Sequence, residues 1–191
     1  MSTVNLQTYI RKLAKQIHPD HRVSADFTTA VNNMLNVLGQ KLLLTAIAIK
    51  KNAGRVELQA KDIKAATEVV LPPDLYEYAT RNATKAVTIA SSGKIEGRRV
   101  TRTEEAKLTL SVPRVETFMR DNIPKRTGRT RISKYAIVYL TAVLEYITAE
   151  TCELSGNEAT ANKKVTMTKT HYNTALLSDK SLKQIIDCHV R

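Results

Sequence analysis

The sequence predicts an all-α protein made of two tandem copies of one helical unit. Hydrophobic residues make up 42% of its 191 residues and aromatic residues only 5%, so the core must be mainly aliphatic, which suits packed helices better than strands. Apolar residues recur at helical spacing along two long stretches of the chain. The order short helix, basic loop, long helix, basic loop, short helix occurs twice, about 110 residues apart, and an internal repeat is strong evidence for architecture.

The first copy is predicted to begin with a short helix over residues 6–17, which carries its apolar residues on one side and ends before Pro19. Ser24 can cap a long second helix that continues to residue 52. That helix has about 28 residues and is therefore roughly 42 Å long. The remaining elements of the first copy are an extended segment over 55–58 and helices over 59–71 and 73–90.

The second copy repeats this order after a connection rich in glycine, serine and charge, and we place the linker at residues 91–107. Ser133 can cap the second long helix, which continues to about residue 162. The other predicted elements are a short helix over 113–122, a basic loop over 123–132, a loop over 163–167 and short helices over 169–177 and 181–186. The predicted division is a first unit over 1–90, the linker over 91–107 and a second unit over 108–191.

Basic residues are in excess along the whole chain. It carries 30 basic and 18 acidic side chains, a net charge of +12; residues 1–92 have 12 basic and 7 acidic groups, and residues 108–191 have 13 and 8. Charge built into foldable sequence favours a polyanion-binding surface on a folded body, whereas a block of like charge would indicate a disordered tail. A solvated basic surface without a ligand is the alternative. No apolar run approaches about 18 residues and no signal peptide is recognisable, so we expect no membrane partner.

The two long helices must pack against each other. A helix of about 28 residues with apolar side chains on more than one face cannot cover them with two short neighbours. It needs a second long helix across it, and the other copy supplies one. The sequence therefore predicts an intramolecular pseudo-dimer.

Several blocks of the chain resemble core histones. Residues 15–20 (KQIHPD), 69–72 (VVLP) and 83–88 (ATKAVT) resemble histone two-B. Residues 138–150 (VYLTAVLEYITAE), 153–157 (ELSGN) and 162–164 (NKK) resemble histone two-A. A chain with the two units joined in this order is similar to the histone doublets of giant DNA viruses of amoebae, the marseillevirus-like group.

The resemblance implies two tandem histone folds that form a handshake, with the long helices crossing antiparallel. It implies a DNA-packaging core histone that binds and wraps double-stranded DNA largely without sequence specificity in nucleosome-like particles. The expected partners are double-stranded DNA and a histone three/four-like doublet. The expected location is the virion and the host-cell viral factory or nucleus.

The handshake would bring the first loop of each half beside the second loop of the other, and the resemblance implies that these loops and the first short helices contact DNA. Helix amino termini offer free N–H groups to phosphates, and an arginine can enter an inward-facing minor groove without reading a base. A solvated charge is the alternative for each residue. The expected DNA-binding residues are Arg11, Lys12, Arg22, Ser24, Arg55, Arg114, Arg120, Arg131, Ser133, Lys163, Lys164 and Lys169.

An acidic surface that receives chromatin regulators in the histone family is partly retained. The matching acidic residues are Asp74, Glu145, Glu150, Glu153 and Asp179. Asn82, Lys180 and Ser181 replace acidic residues of the family pattern, and Thr166 stands where the family usually has a groove-entering arginine. We therefore expect altered binding of arginine-anchored factors, with a solvated helix face as the alternative reading of the retained acids.

The chain is not expected to be an enzyme or to use a cofactor, a metal or a small-molecule substrate. Its four histidines and two cysteines show no metal-ligand spacing, Cys152 lies in an apolar helical run, and neither a glycine-rich phosphate loop nor a nucleophile elbow occurs. The alternative function is a histone-fold subunit of a transcription or scaffold complex that does not wrap DNA. Such a subunit would favour particular sequences, whereas a packaging doublet would protect a fixed length of DNA.

Overall fold

The computed structural model describes residues 2–92, 100–124 and 130–187, so part of the predicted linker, part of the predicted basic loop (125–129) and Cys188 lie outside it. Within those ranges the chain forms nine helices and four two-residue strands. The first half contains α1 (Gln7–Ile17), β1 (Arg22–Val23), α2 (Ala25–Asn52), β2 (Glu57–Leu58), α3 (Ala60–Val70) and α4 (Pro73–Ser92). The second half contains α5 (Arg102–Glu105), α6 (Val112–Asn122), β3 (Arg131–Ile132), α7 (Lys134–Ala161), β4 (Thr166–Met167), α8 (Lys169–Ser178) and α9 (Lys180–Asp187).

The all-α prediction is confirmed, and the observed helices lie close to the predicted limits. One difference is the short helix α5, which occupies residues that we expected to serve as linker. It forms because Thr101 and Glu104 make a capping box: the Glu104 N–H donates to the Thr101 hydroxyl at 3.3 Å, and the Thr101 N–H donates to the Glu104 carboxylate at 2.9 Å. The division into two units with their stated limits stays a prediction.

The short strands show how the long helices cross. β1 precedes α2 and pairs in parallel with β4, which follows α7. β2 follows α2 and pairs in parallel with β3, which precedes α7. The start of each long helix therefore meets the end of the other, so α2 and α7 run antiparallel. The predicted intramolecular handshake of two histone folds is confirmed.

One apolar core runs through both halves, and α7 is at its centre. Helices α1, α2, α3 and α4 of the first half all pack on α7. The fully buried side chains include Phe27, Leu35, Leu38 and Leu42 from α2 and Ile137, Leu140, Val143 and Ile147 from α7. Since each half covers apolar surface of the other, neither half buries its own hydrophobic residues completely.

The segment before α1 is also part of this core. Val4 and Leu6 are buried, and the side-chain amide of Asn36 in α2 accepts from the Val4 N–H at 2.6 Å and donates to the Val4 carbonyl at 2.9 Å. Further along the segment, the Ser2 N–H donates to the side chain of Asn122 in α6 at 3.2 Å. Residues 2–6 therefore tie the first half to α6 of the second half.

Candidate nucleic-acid interface

The first candidate surface, which we call the β2–β3 rim, consists of residues 55–58 and 130–133. Glu57 lies opposite Arg131 in the strand pair, and the Ser133 N–H donates to the Leu58 carbonyl at 2.9 Å. Arg131 is exposed. The expected meeting of the two loops is therefore observed. Ser133 lies at the amino-terminal cap position of α7, but its side chain makes no capping hydrogen bond, so that part of the prediction is wrong.

Arg55, on the same rim, is committed to an internal partner. Its guanidinium group forms two hydrogen bonds with the Asp62 carboxylate, one of them 2.9 Å long between Nη1 and Oδ2. Asp62 is 1% exposed and Arg55 25%. A fork-to-fork pair of this kind is charge-assisted, and a buried carboxylate needs such a partner. Arg55 was expected to contact DNA, which stays a prediction. Its ion pair neutralises the Asp62 carboxylate and fixes the loop before β2.

The second surface, the β1–β4 rim, consists of residues 22–24 and 163–169 at the other end of the long helices. Arg22 lies opposite Thr166, and the Ser24 N–H donates to the Met167 carbonyl at 3.1 Å. Arg22, Lys163, Lys164 and Lys169 are exposed. The second expected pair of loops is therefore also observed, with Arg22 directly across from the threonine that replaces the family arginine.

At the β1–β4 rim, the Asp26 side chain accepts hydrogen bonds from the amino-terminal ends of both α2 and α8. The Asp26 carboxylate accepts from the Phe27 N–H at 2.8 Å, from the Lys169 N–H at 3.3 Å and from the Ser24 hydroxyl. The Ser24 hydroxyl, whose hydrogen bond is the main cause, lowers the pKa of Asp26. The amino terminus of α2, which we expected to be open to phosphate, is thus already satisfied, and Ser24 is a structural cap with internal partners.

The third region, on α1 and α6, contains both free and paired cations. Arg11 and Lys12 are exposed and form no ion pair with another described residue. Arg114 donates to the Asn5 carbonyl at 2.8 Å, and Arg120 is 2.6 Å from the Glu116 carboxylate. These two arginines were expected to contact DNA, and each has a partner within the protein. Arg114 also lies 5.6 Å over the ring of Tyr9, and Glu116 also pairs with Arg102 at 2.5 Å.

The retained acidic residues do not form one open acidic surface. The Glu145 carboxylate accepts from the N–H groups of Thr109 and Leu110 at 2.6 and 2.7 Å, and burial raises its pKa. This residue therefore orders the segment before α6, which corrects the expectation that it is available to a partner. Burial also raises the pKa of Glu150, which accepts from the Tyr146 hydroxyl at 3.3 Å.

The other three expected acids differ in exposure. Asp74 and Glu153 are exposed, while Asp179 is half-buried and accepts from the Leu182 N–H at 2.6 Å at the start of α9. Nearby, Tyr78 stacks with Tyr146 at 6.3 Å between ring centroids. Arg81 lies 5.4 Å over the Tyr78 ring, so this surface already carries an arginine of its own. The expectation of altered binding by arginine-anchored factors stays a prediction.

The described residues give little support for a metal site, a reactive cysteine or a membrane-spanning helix. No group of three or more His, Cys, Asp or Glu side chains there could hold a metal ion. Cys152 is buried, as its place in an apolar helical run predicts, and burial raises the pKa of its thiol to about 12, which disfavours the nucleophilic thiolate. In the same part of the chain, no helix has both the length and the apolar character that crossing a membrane requires.

Comparison with known proteins assigns the family. No profile of a known protein family matches the sequence. A histone doublet of Melbournevirus, described as a two-B histone joined to a two-A histone, is 32% identical over 189 residues, which is 96% of this chain and 66% of that protein. The chain belongs to the histone doublets. The family assignment predicted from residues 15–20, 138–150 and the other blocks is therefore confirmed. The chain spans 66% of the length of this viral relative.

One further relative matches in sequence, and one solved structure matches in fold alone. The Z variant of histone two-A from Saccharomyces cerevisiae is 41% identical over 81 residues, which cover 42% of the doublet and 58% of that histone. The crystal structure of the histone from Methanopyrus kandleri superposes with a TM-score of 0.55 over 89% of the doublet and 91% of that chain, at 15% identity, and so shares its fold. Membership among histones agrees with the expectation that the doublet is not an enzyme.

Two residues that contact the rims carry little signal in the sequence. Asp26 was expected only as a favourable charge in the first turn of α2, because its contact with Lys169 joins residues 143 positions apart. Lys50 was expected only as part of the long helix, yet it is 5% exposed and lies under the β2–β3 rim. The available signal for Lys50 is its phase: it follows the buried Leu43 by seven residues, two helical turns along the same face.

Proposed function

We propose that this histone doublet binds and wraps double-stranded DNA, largely without sequence specificity, in nucleosome-like particles together with a histone three/four-like doublet. The observation that carries the proposal is the pairing of loops from the two halves at both ends of the crossed long helices. Exposed cations lie on both rims, which suits the regularly spaced phosphates of a duplex: Arg131 on the β2–β3 rim, and Arg22, Lys163, Lys164 and Lys169 on the β1–β4 rim. The same proposal locates the doublet where viral DNA is held, in the virion and in the host-cell viral factory or nucleus.

Seven of the expected DNA-binding residues have exposed cationic side chains without an ion-pair partner among the described residues. Each phosphate that a cation neutralises adds about 0.9 to the slope of log affinity against log salt concentration. If all seven contact phosphates, the slope is roughly −6, and the affinity falls by about three to four orders of magnitude between 50 and 200 mM salt. The seven residues are Arg11, Lys12, Arg22, Arg131, Lys163, Lys164 and Lys169.

The salt dependence of binding to duplexes of unrelated sequence tests the electrostatic part. We expect similar affinities for all sequences and a steep negative slope. The Arg131→Gln variant should lower the magnitude of the slope by about 0.9. Lys183→Gln is the matched control, because Lys183 is exposed on α9 and lies on neither rim. A wild-type slope near zero, or equal effects of the two substitutions, would contradict the proposal.

Nuclease digestion tests wrapping and separates the two candidate functions. Mixed with a histone three/four-like doublet and DNA, the protein should protect a discrete fragment of about 120–150 base pairs, near the length that the cellular octamer wraps. A histone-fold subunit of a transcription or scaffold complex would prefer particular sequences and give no fragment of fixed length. That second outcome would support the alternative function.

A further inference from the structure

Lys50 is a buried lysine that bridges the two halves. It lies in the last turn of α2 and is 5% exposed. Its ammonium group donates to the Val56 carbonyl at 3.3 Å and to the Thr130 hydroxyl at 3.1 Å. Val56 belongs to the loop before β2 and Thr130 to the loop before β3, so one side chain joins both loops of the β2–β3 rim.

Stability alone does not account for a lysine at this position. Removal of an ammonium group from water is unfavourable unless a carboxylate compensates it, and no described carboxylate forms an ion pair with Lys50. Two neutral oxygen acceptors and the negative end of the α2 dipole compensate it only in part. An apolar side chain would fill the same volume, since the preceding residues of this face, including Leu43 and Ile47, are apolar. The charge therefore points to a role in placing the loops.

We propose that Lys50 is the positioning residue of the β2–β3 rim. By holding the Thr130 hydroxyl against the Val56 backbone, its ammonium group sets the direction in which Arg131, the next residue, presents its guanidinium group to DNA. Arg131 lacks an ion-pair partner of its own among the described residues, so its direction depends on the backbone at Thr130. This inference rests on the proposed function, since it assigns Lys50 a part in the same DNA contact.

A double-mutant cycle between Lys50 and Arg131 tests the proposal. Affinity for a duplex of arbitrary sequence is measured at about 150 mM salt for the wild type, Lys50→Met, Arg131→Gln and the double variant. We expect Lys50→Met to weaken binding by about threefold to tenfold, comparable to the loss of one phosphate contact. In the Arg131→Gln background the same substitution should change the affinity by less than about twofold, because residues that act as one unit are not additive.

Two further variants separate positioning from loss of charge and from loss of fold. Lys50→Arg keeps a cation with several donors and should restore most of the affinity. Thr130→Val removes the acceptor without changing the charge of Lys50, and should also weaken binding only when Arg131 is present, even if Lys50→Met fails to fold. Helix content by circular dichroism checks the fold of each variant.

The outcomes are distinct. If the wild type does not bind DNA, the proposed function fails before Lys50 is tested. If the wild type binds and Lys50→Met is without effect, or has the same effect in both backgrounds, Lys50 does not position Arg131. Equal losses for Lys50→Met and for Lys183→Met, an exposed lysine on α9, would likewise show that only net charge matters.

Discussion

Gly156 and His18 are in close contact, so we expect the Gly156→Ala substitution to destabilise the protein when the His18 side chain is present and to stabilise it when that side chain is removed. Gly156 lies inside α7, and the His18 ring, at the end of α1, rests against it. A Cβ atom on Gly156 would be 2.2 Å from His18 Cδ2 and Nε2, more than 1 Å closer than the 3.4 Å at which ordinary contact begins. The ring would have to turn away, and its 3.1 Å contact from Nε2 to the Glu153 carbonyl would be lost.

The magnitude follows from three opposing terms. Alanine is more favourable than glycine in a helix interior by about 1 kcal/mol. Displacing the half-buried His18 ring from its packed position costs about 1–3 kcal/mol, and loss of its hydrogen bond costs about 1 kcal/mol. Gly156→Ala should therefore lower the free energy of unfolding by about 1–3 kcal/mol. In a His18→Ala background only the helix term remains, so the same substitution should raise it by about 1 kcal/mol.

Urea denaturation followed by the helical circular dichroism signal measures both effects. Gly54→Ala is the matched control: its added methyl group has no neighbour within 4 Å, and its φ of +64° gives a backbone cost that does not depend on His18. An effect of Gly156→Ala with the same sign and size in both backgrounds would refute the steric argument.

Three further predictions concern the carboxylates and the first residues of the chain. Because the folded pKa of Asp26 is lowered, its charge stabilises the fold above its ordinary pKa of 3.8; Asp26→Asn should destabilise the protein at neutral pH, and the difference should vanish as pH falls through the folded pKa. Burial raises the pKa of Glu145 in the folded state, so ionisation of this carboxyl opposes folding. The wild type should therefore lose stability relative to Glu145→Gln as pH rises above 4.5, and the difference between the two proteins should be constant below that pH. Denaturation curves at several pH values check both signs. Asn36→Ala should cost about 1–3 kcal/mol in the same assay, because it leaves both polar groups of the buried Val4 with fewer partners.

Much of the fold follows from local patterns that the sequence displays directly. The long helices begin one residue after Ser24 and Ser133, as predicted, since apolar periodicity and turn residues act over a few positions. The handshake also followed from a local fact, the number of apolar faces on each long helix. The helix α5 was not predicted, although its capping box, Thr101 with Glu104, is visible in the sequence; the glycine and serine of the preceding residues outweighed it.

The candidate site was predictable as a set of loops but not as a set of free charges. The ion pair of Arg120 with Glu116 is an i, i+4 helix pair and could have been anticipated. The internal partners of Glu145 and Lys50 could not, because Thr109 and Thr130 lie 36 and 80 residues away along the chain. A count of basic and acidic residues gives the net charge, but it does not show which charges are already neutralised within the protein.

From the amino-acid sequence alone came the helices, their order, the repeat, the excess of positive charge and the resemblance to histones, because backbone sterics and hydrophobic periodicity act between neighbours along the chain. Only the tertiary structure decided that Arg55 pairs with Asp62 and that Glu145 accepts a hydrogen bond from the Leu110 N–H. It also decided that Lys50 is buried beneath the β2–β3 rim and not exposed to solvent. Electrostatic partners are set by distance in space, and residues far apart along the chain, such as Lys50 and Thr130, meet only once α2 and α7 have crossed.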